Sequence, residues 1–234
     1  MKERLDKLIA SHTGLSRRDA VKAIRDKRVL VNGGVCRSGD TKIDTDSDAV
    51  TMDGAALSFS RNVYYMMNKP AGVVSATEDR EERTVIDILP AEMCRRGLFP
   101  AGRLDKDTTG LLLLTDDGDF AHRMLSPKKH VDKTYIAELD RDPEADAGER
   151  FAAGIVLADG TQCRPAEALR MGDRLYRVTL SEGKYHQVKR MFAALGSHVT
   201  SLKRIRIGGL SLDESLAEGC VRPLTEEEKQ KVFE

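Results

Sequence analysis

The segment that most restricts the fold is Gly102-Arg-Leu-Asp105-Lys-Asp-Thr-Thr-Gly110, an acidic loop between two glycines that runs directly into Leu111-Leu-Leu-Leu114-Thr. Four leucines in succession make a strand apolar on both faces, which belongs in a covered sheet. The turn Asp116-Asp117-Gly118 closes the strand. A loop anchored this way can fix a carboxylate. In isolation, however, Asp105 and Asp107 would be turn residues bonding their own backbone, so any chemistry must come from the groups that join them.

Charge has to be taken by segment, because 38 Lys/Arg balance 38 Asp/Glu over 234 residues. That balance excludes a uniformly cationic coat for polyanions and leaves local basic patches. Residues 1–30 hold nine Lys/Arg against four acids, whereas residues 31–60 hold two against five. A second basic stretch, Lys184 to Arg206, carries six Lys/Arg and no acid, which makes it a phosphate-seeking surface. At 40% hydrophobic and 32% charged residues the composition is globular. No apolar run approaches the roughly 20 residues that span a bilayer, and the start MKERLDKLIA lacks a signal peptide's apolar core. A cytoplasmic protein is expected. Cys36, Cys94, Cys163 and Cys220 form no C-x-x-C pair and have no histidine at ligand spacing. Reduced cysteines and no metal are expected.

Leu5, Leu8 and Ile9 recur at helical spacing, and Ser16 with Asp19 three residues on signals a second helix start. Asn32-Gly33 and Asp53-Gly54 mark two hairpins. A domain boundary is expected near 58–62. Beyond it the pattern predicts strands near 63–67, 111–115, 133–139, 174–180 and 199–207. Helices are expected near 84–89, 119–125, 146–153, 186–195 and 225–233, with Asp119 and Thr225 as N-caps. The class is α+β. In EGKYHQVKRMFAALG, Val188, Phe192 and Leu195 face a core and leave Lys189 and Arg190 near the helix start. On the strand after it, Arg204 and Arg206 are expected on one face.

The ordered pattern RLDKLIA…GLSRRDAVKAIRDKRVLVNG, over residues 3–34, resembles the small RNA-binding domain named after ribosomal protein S4. NKPAGVVSA, GRLDKDTTGLLLLTDDGDFAHRM, KTYIAEL and EGKYHQVKRMFAALG follow it and resemble the motifs of RNA pseudouridine synthases of the ribosomal small subunit synthase A group. The likeness implies an S4-like domain at 1–60 and a catalytic domain at 61–234 built on a mixed, mainly antiparallel sheet with flanking helices. It implies Asp105 as the catalytic aspartate, Tyr135 as the tyrosine that packs on the target base, and Lys189 as the basic partner of the aspartate. Many relatives have arginine where this chain has Lys189; lysine offers a point charge without the bidentate fork. RNA contacts are expected from Arg4, Arg17, Arg18, Lys22, Arg25, Arg103, Lys184, Arg190 and Arg204. Lys69-Pro70 is expected to support the pocket. His122, His130 and His186 have no carboxylate at obvious spacing and are left out of the chemistry.

The residue types suit the implied reaction. Turning uridine into pseudouridine exchanges a bond from ribose to ring nitrogen for one to ring carbon, with no redox step and no energy input, so no cofactor is expected. An ionised carboxylate can attack the sugar or stabilise its developing charge. A base stacked in RNA must be extruded and its lost stacking replaced by an aromatic surface. The expected partner is small-subunit ribosomal RNA, with no DNA or membrane partner and a monomeric chain. Two alternatives stay open: a synthase for large-subunit RNA, and a non-catalytic RNA-binding assembly protein.

Overall fold

The computed structural model describes residues 2–45, 47–57, 62–126, 131–144 and 146–234. They fall into two compact units: Met1–Val63 with Leu89–Leu98, and Tyr64–Ile88 with Phe99–Glu234. The boundary expected at 58–62 lies mostly outside the described residues.

In the first unit β1 (Lys2–Arg4) leads into α1 (Leu5–His12) and then α2 (Arg17–Arg25). Leu5, Leu8, Ile9, Ala20, Ile24 and Val29 are buried together, so the apolar stripe of each helix closes one small core. Ser16 caps α2 by accepting the Asp19 N–H and donating its hydroxyl to the Asp19 carboxylate at 2.6 Å. Strands β2 (Val29–Val31) and β3 (Gly34–Val35) join through Asn32-Gly33, both at positive φ. Strands β5 (Val50–Met52) and β6 (Ala55–Leu57) join in the same way through Asp53-Gly54. These are the left-handed conformations that two-residue hairpin turns demand. Strand β4 (Lys42–Asp44) pairs with β1, an addition the periodicity does not reveal.

The second unit is built on one sheet. Its strands are β7 (Tyr64–Lys69), β8 (Phe99–Ala101), β9 (Thr109–Thr115), β10 (Lys133–Leu139), β11 (Glu167–Gly172), β12 (Leu175–Leu180), β13 (Val199–Ile207), β14 (Leu210–Ser211) and β15 (Val221–Pro223). The order is β11-β12-β10-β13-β9-β7-β15, with β8 on β9 and β14 on β13. The β13–β9 pair is parallel and its neighbours antiparallel. Leu111 and Leu113 pack against Phe120, Ala121 and Met124 of α3 (Gly118–Leu125). Leu112 and Leu114, on the other face, are fully buried as well. The leucine run is therefore covered on both sides, as its composition requires.

Three further helices flank the sheet: α4 (Ala147–Ala153), α5 (Gln187–Ala193) and α6 (Glu226–Lys231). Thr225 and Glu228 complete a capping box before α6. The cap of α3 is Asp117, not the expected Asp119: its carboxylate accepts the N–H groups of Asp119 and Phe120 at 3.0 Å each. No helix forms at 84–89. There Asp87 accepts the Thr84 N–H and hydroxyl at 2.8 and 2.9 Å, and Thr84 Oγ1 accepts from Ile86 and Asp87. Such local side-chain bonds compete with a helix. Among the described residues no helix is long and apolar enough to cross a membrane.

Candidate active site

The cleft forms where loop 102–108, between β8 and β9, faces Tyr135 of β10 and the segment that enters α5. Loop 102–108 is tied down almost entirely through its backbone. Lys69, at the end of β7, is fully buried and donates to the carbonyls of Pro70, Asp105, Lys106 and Thr108 at 3.1, 3.1, 3.3 and 2.9 Å. Burial pulls its amine down to about 8, although Asp107 and Asp105 draw it the other way. Ser75 donates to the Leu104 carbonyl and accepts its N–H, and the Gly72 N–H reaches Lys106. At the far end Gly110 has φ +96°, and a Cβ there would stand 2.2 Å from the Arg204 carbonyl oxygen. Only glycine lets β9 approach β13 this closely.

Fixed by these contacts, the Asp105 carboxylate stands between two cationic or titratable groups of the α5 entrance. Lys189 Nζ lies 3.2 Å from Oδ2, and His186 Nε2 lies 3.5 Å from Oδ1. Lys189 also reaches Asp107 Oδ1 at 2.5 Å. Burial works against the charged amine of Lys189, but the hydrogen bonds to Asp107 and Asp105 outweigh it and hold the group above the ordinary lysine value. The bond from Lys189 in turn keeps the Asp107 carboxyl below the usual carboxylate range. The sequence expectation thus receives a second carboxylate: Lys189 serves two aspartates. It is also corrected at His186, which does have a carboxylate neighbour, 81 residues away in the chain. His186 sits at φ 49°, with its ring stacked on Tyr185 at a centroid distance of 3.8 Å. His130 lies outside the described residues.

A cavity of about 80 Å³ opens over the carboxylate, with Tyr135, Leu180, Val188 and Leu202 on its apolar side. Tyr135 is 9% exposed and stands opposite Val178 and Arg204 in the sheet register. The site therefore has a polar side that carries an anion and its cation, and an apolar side with one aromatic ring.

The expected RNA-contacting cations divide into four groups. Arg18, Lys22 and Arg25 are exposed at one-turn intervals on α2 and make no ion pair among the described residues; Arg103 is exposed beside the cleft. Arg4 and Arg17 are committed in part to the buried carboxylate of Asp6, with Arg4 Nη2 at 2.9 Å and Arg17 Nε at 3.2 Å. Lys184 pairs with Glu182 and Arg190 with Asp159, each at 2.5 Å, so carboxylates from outside the basic stretch neutralise part of it. Arg204 is contradicted as a surface residue: it is 4% exposed and its Nε donates to the Leu111 carbonyl at 2.8 Å. The cause is a bulge in β13. Thr134 faces Arg206 and Tyr135 faces Arg204, leaving Ile205 unmatched. The two arginines are thereby separated, Arg204 inward and Arg206 outward.

Comparison with known proteins shows what the chain as a whole is similar to. The family model described as RNA pseudouridylate synthase matches residues 63–194, and the S4 domain model matches residues 3–49. The chain is 46% identical over 227 residues to ribosomal small subunit pseudouridine synthase A of Escherichia coli strain K12, covering 96% of this chain and 97% of the relative. Identity to the Haemophilus influenzae protein of the same name is 43% over 230 residues, covering 98% and 99%. A solved structure described as a pseudouridylate synthase superposes with a TM-score of 0.69 at 44% identity, covering 98% of this chain and 99% of that one.

Proposed function

The chain belongs to the RNA pseudouridylate synthase family, and from that premise we propose that it isomerises one uridine of small-subunit ribosomal RNA, with Asp105 as the catalytic carboxylate. The observation that carries the proposal is the placement of Asp105 against Lys189 at 3.2 Å, on a loop locked by Lys69, beside a cavity walled by Tyr135.

The steps follow from the groups present. A uridine is extruded from the RNA and its ring packs on Tyr135, which replaces part of the lost stacking. The Asp105 carboxylate, paired with the ammonium of Lys189, attacks or stabilises the sugar carbon as its bond to the ring nitrogen breaks. The free base turns and its ring carbon bonds to the same sugar carbon; where Asp105 had attacked, its bond to that carbon breaks in this step and the carboxylate is released. A proton then leaves that ring carbon, and the ring nitrogen is protonated, so atoms balance without any co-reactant. The locked loop keeps the carboxylate from reorganising during the reaction, which is where preorganised electrostatics contributes most. Residues 1–60 serve as the RNA-capturing module and 61–234 as the catalytic one, with Arg18, Lys22 and Arg25 meeting backbone phosphates.

The test is tritium release from ribosomal RNA labelled at carbon five of uridine, using small-subunit RNA, large-subunit RNA and partly assembled small subunits. Release from small-subunit RNA, free or partly assembled, is expected. Release from large-subunit RNA alone would change the address of the enzyme but not its chemistry. Tight binding with no release from any substrate would make it an RNA-binding assembly protein.

A further inference from the structure

Beside the Asp105 pocket lies a second, larger cavity of about 470 Å³ that shares Arg103, Tyr135 and Gly183 with it. Besides the exposed Arg103, two further cations line this space. Lys133 stands two residues before Tyr135 on β10, and so on the same side of the sheet, while Arg204 is the register partner of Tyr135 on β13.

Neither cation is neutralised. Among the described residues, neither Lys133 nor Arg204 makes an ion pair. The Lys133 amine bonds the Val131 carbonyl at 2.6 Å, and Arg204 Nε bonds that of Leu111. Arg204 Nη2 is buried with no hydrogen-bond partner. The carboxylate on the cavity wall, Glu182, is already taken: it accepts from Lys184, Gln187 and the Arg164 N–H. Burial and the charge of Arg204 pull the Lys133 amine below the ordinary lysine value, against a smaller opposing pull from Asp132. A buried arginine beside a partly buried lysine, with no anion between them, is costly. A monoanion with several acceptor oxygens would relieve both at once.

We propose that this cavity is a backbone subsite in which Lys133 and Arg204 take one phosphodiester next to the extruded uridine, while the base itself lies on Tyr135. The assignment rests on the RNA isomerase reading above. It explains why Arg204, though not on the surface, is an arginine: its Nε fixes β9 to β13, and the rest of the guanidinium is left for the phosphate.

The test uses the full chain and a small-subunit RNA fragment that it binds. Single neutral methylphosphonates replace each phosphate flanking the target uridine in turn. In the wild type one substitution is expected to weaken binding about ten-fold, and Lys133→Gln is expected to lose that sensitivity while Lys133→Arg keeps it. The slope of log affinity against log salt should fall by about 0.7 in Lys133→Gln. Millimolar inorganic phosphate should leave wild-type affinity unchanged; competition at that level would assign the cavity to the free ion and overturn the backbone subsite. If no flanking methylphosphonate weakens the wild type, the subsite is overturned whatever the variants do. Tritium release from the same RNA separates the two claims. Release without phosphate sensitivity removes only the subsite, and Lys133-dependent phosphate sensitivity without release removes only the isomerase reading.

Discussion

The cations on α2 and those in the cleft are the same residue types under opposite conditions. Arg18, Lys22 and Arg25 stand in solvent without ion pairs among the described residues, so their field is long-ranged, screened by salt and indifferent to small displacements. Lys69 is withdrawn from water and Lys189 is partly buried, and their amines are engaged by four carbonyls and two carboxylates respectively. The first set can attract a polyanion but cannot orient a reacting atom. The second can hold one carboxylate in place but attracts little. Affinity and rate should accordingly respond to different lysines and arginines.

The contrast is broken most severely at Lys189. Lys189→Met should lower the single-turnover rate by about 10²–10³-fold, the usual cost of one preorganised electrostatic partner, and leave RNA affinity within about three-fold. Rapid-quench tritium release at saturating RNA, alongside filter binding, separates the two quantities. An affinity loss as large as the rate loss would place Lys189 with the steering cations instead.

Lys69 comes next, and its signature is in pH. Its amine is held at about 8 against an ordinary 10.5, so between those values the unfolded chain keeps a proton that the folded chain has released. The contribution of Lys69 to stability is therefore present above the ordinary value and is lost as pH falls through about 8, a span of up to about 3 kcal/mol. Denaturant titrations at pH 7 and pH 10 should show Lys69→Met losing ground to the wild type as pH rises. Parallel stability curves for the two proteins would mean that the amine is not held low.

The smallest effect belongs to the exposed face. Replacing Arg18, Lys22 and Arg25 together by Gln should weaken RNA binding about ten-fold at 0.1 M salt and reduce the salt slope by about two. Melting temperature and the rate at saturating RNA should not change. A slowed rate at saturation would tie this helix to the chemistry and blur the contrast.

Much of this was legible in the chain. The leucine run, the two Gly-containing hairpin turns and the Thr225 cap each depend on a few adjacent residues, and each appears where expected. Asp105 and Lys189 could be linked only through the family's motifs, because 84 residues separate them. The contact of His186 with Asp105 was missed for the same reason: it depends on how the α5 entrance crosses the cleft. Arg204 was misplaced because strict alternation carries no sign of the bulge at Ile205. The helix expected at 84–89 failed because apolar spacing in a six-residue window could not compete with the Thr84–Asp87 bonds. Strand β11 was missed since most of its residues are exposed, which leaves no alternation to detect.

In the proposed reaction a fixed Asp105 carboxylate does the chemistry. Its most direct test is single-turnover tritium release by Asp105→Asn at an RNA concentration where binding is saturated for both proteins. Asparagine preserves the shape but has no negative charge. Binding within about three-fold of wild type and release slower by at least about 10³-fold is predicted. Release at a rate comparable to wild type would contradict the account and move the catalytic carboxylate elsewhere.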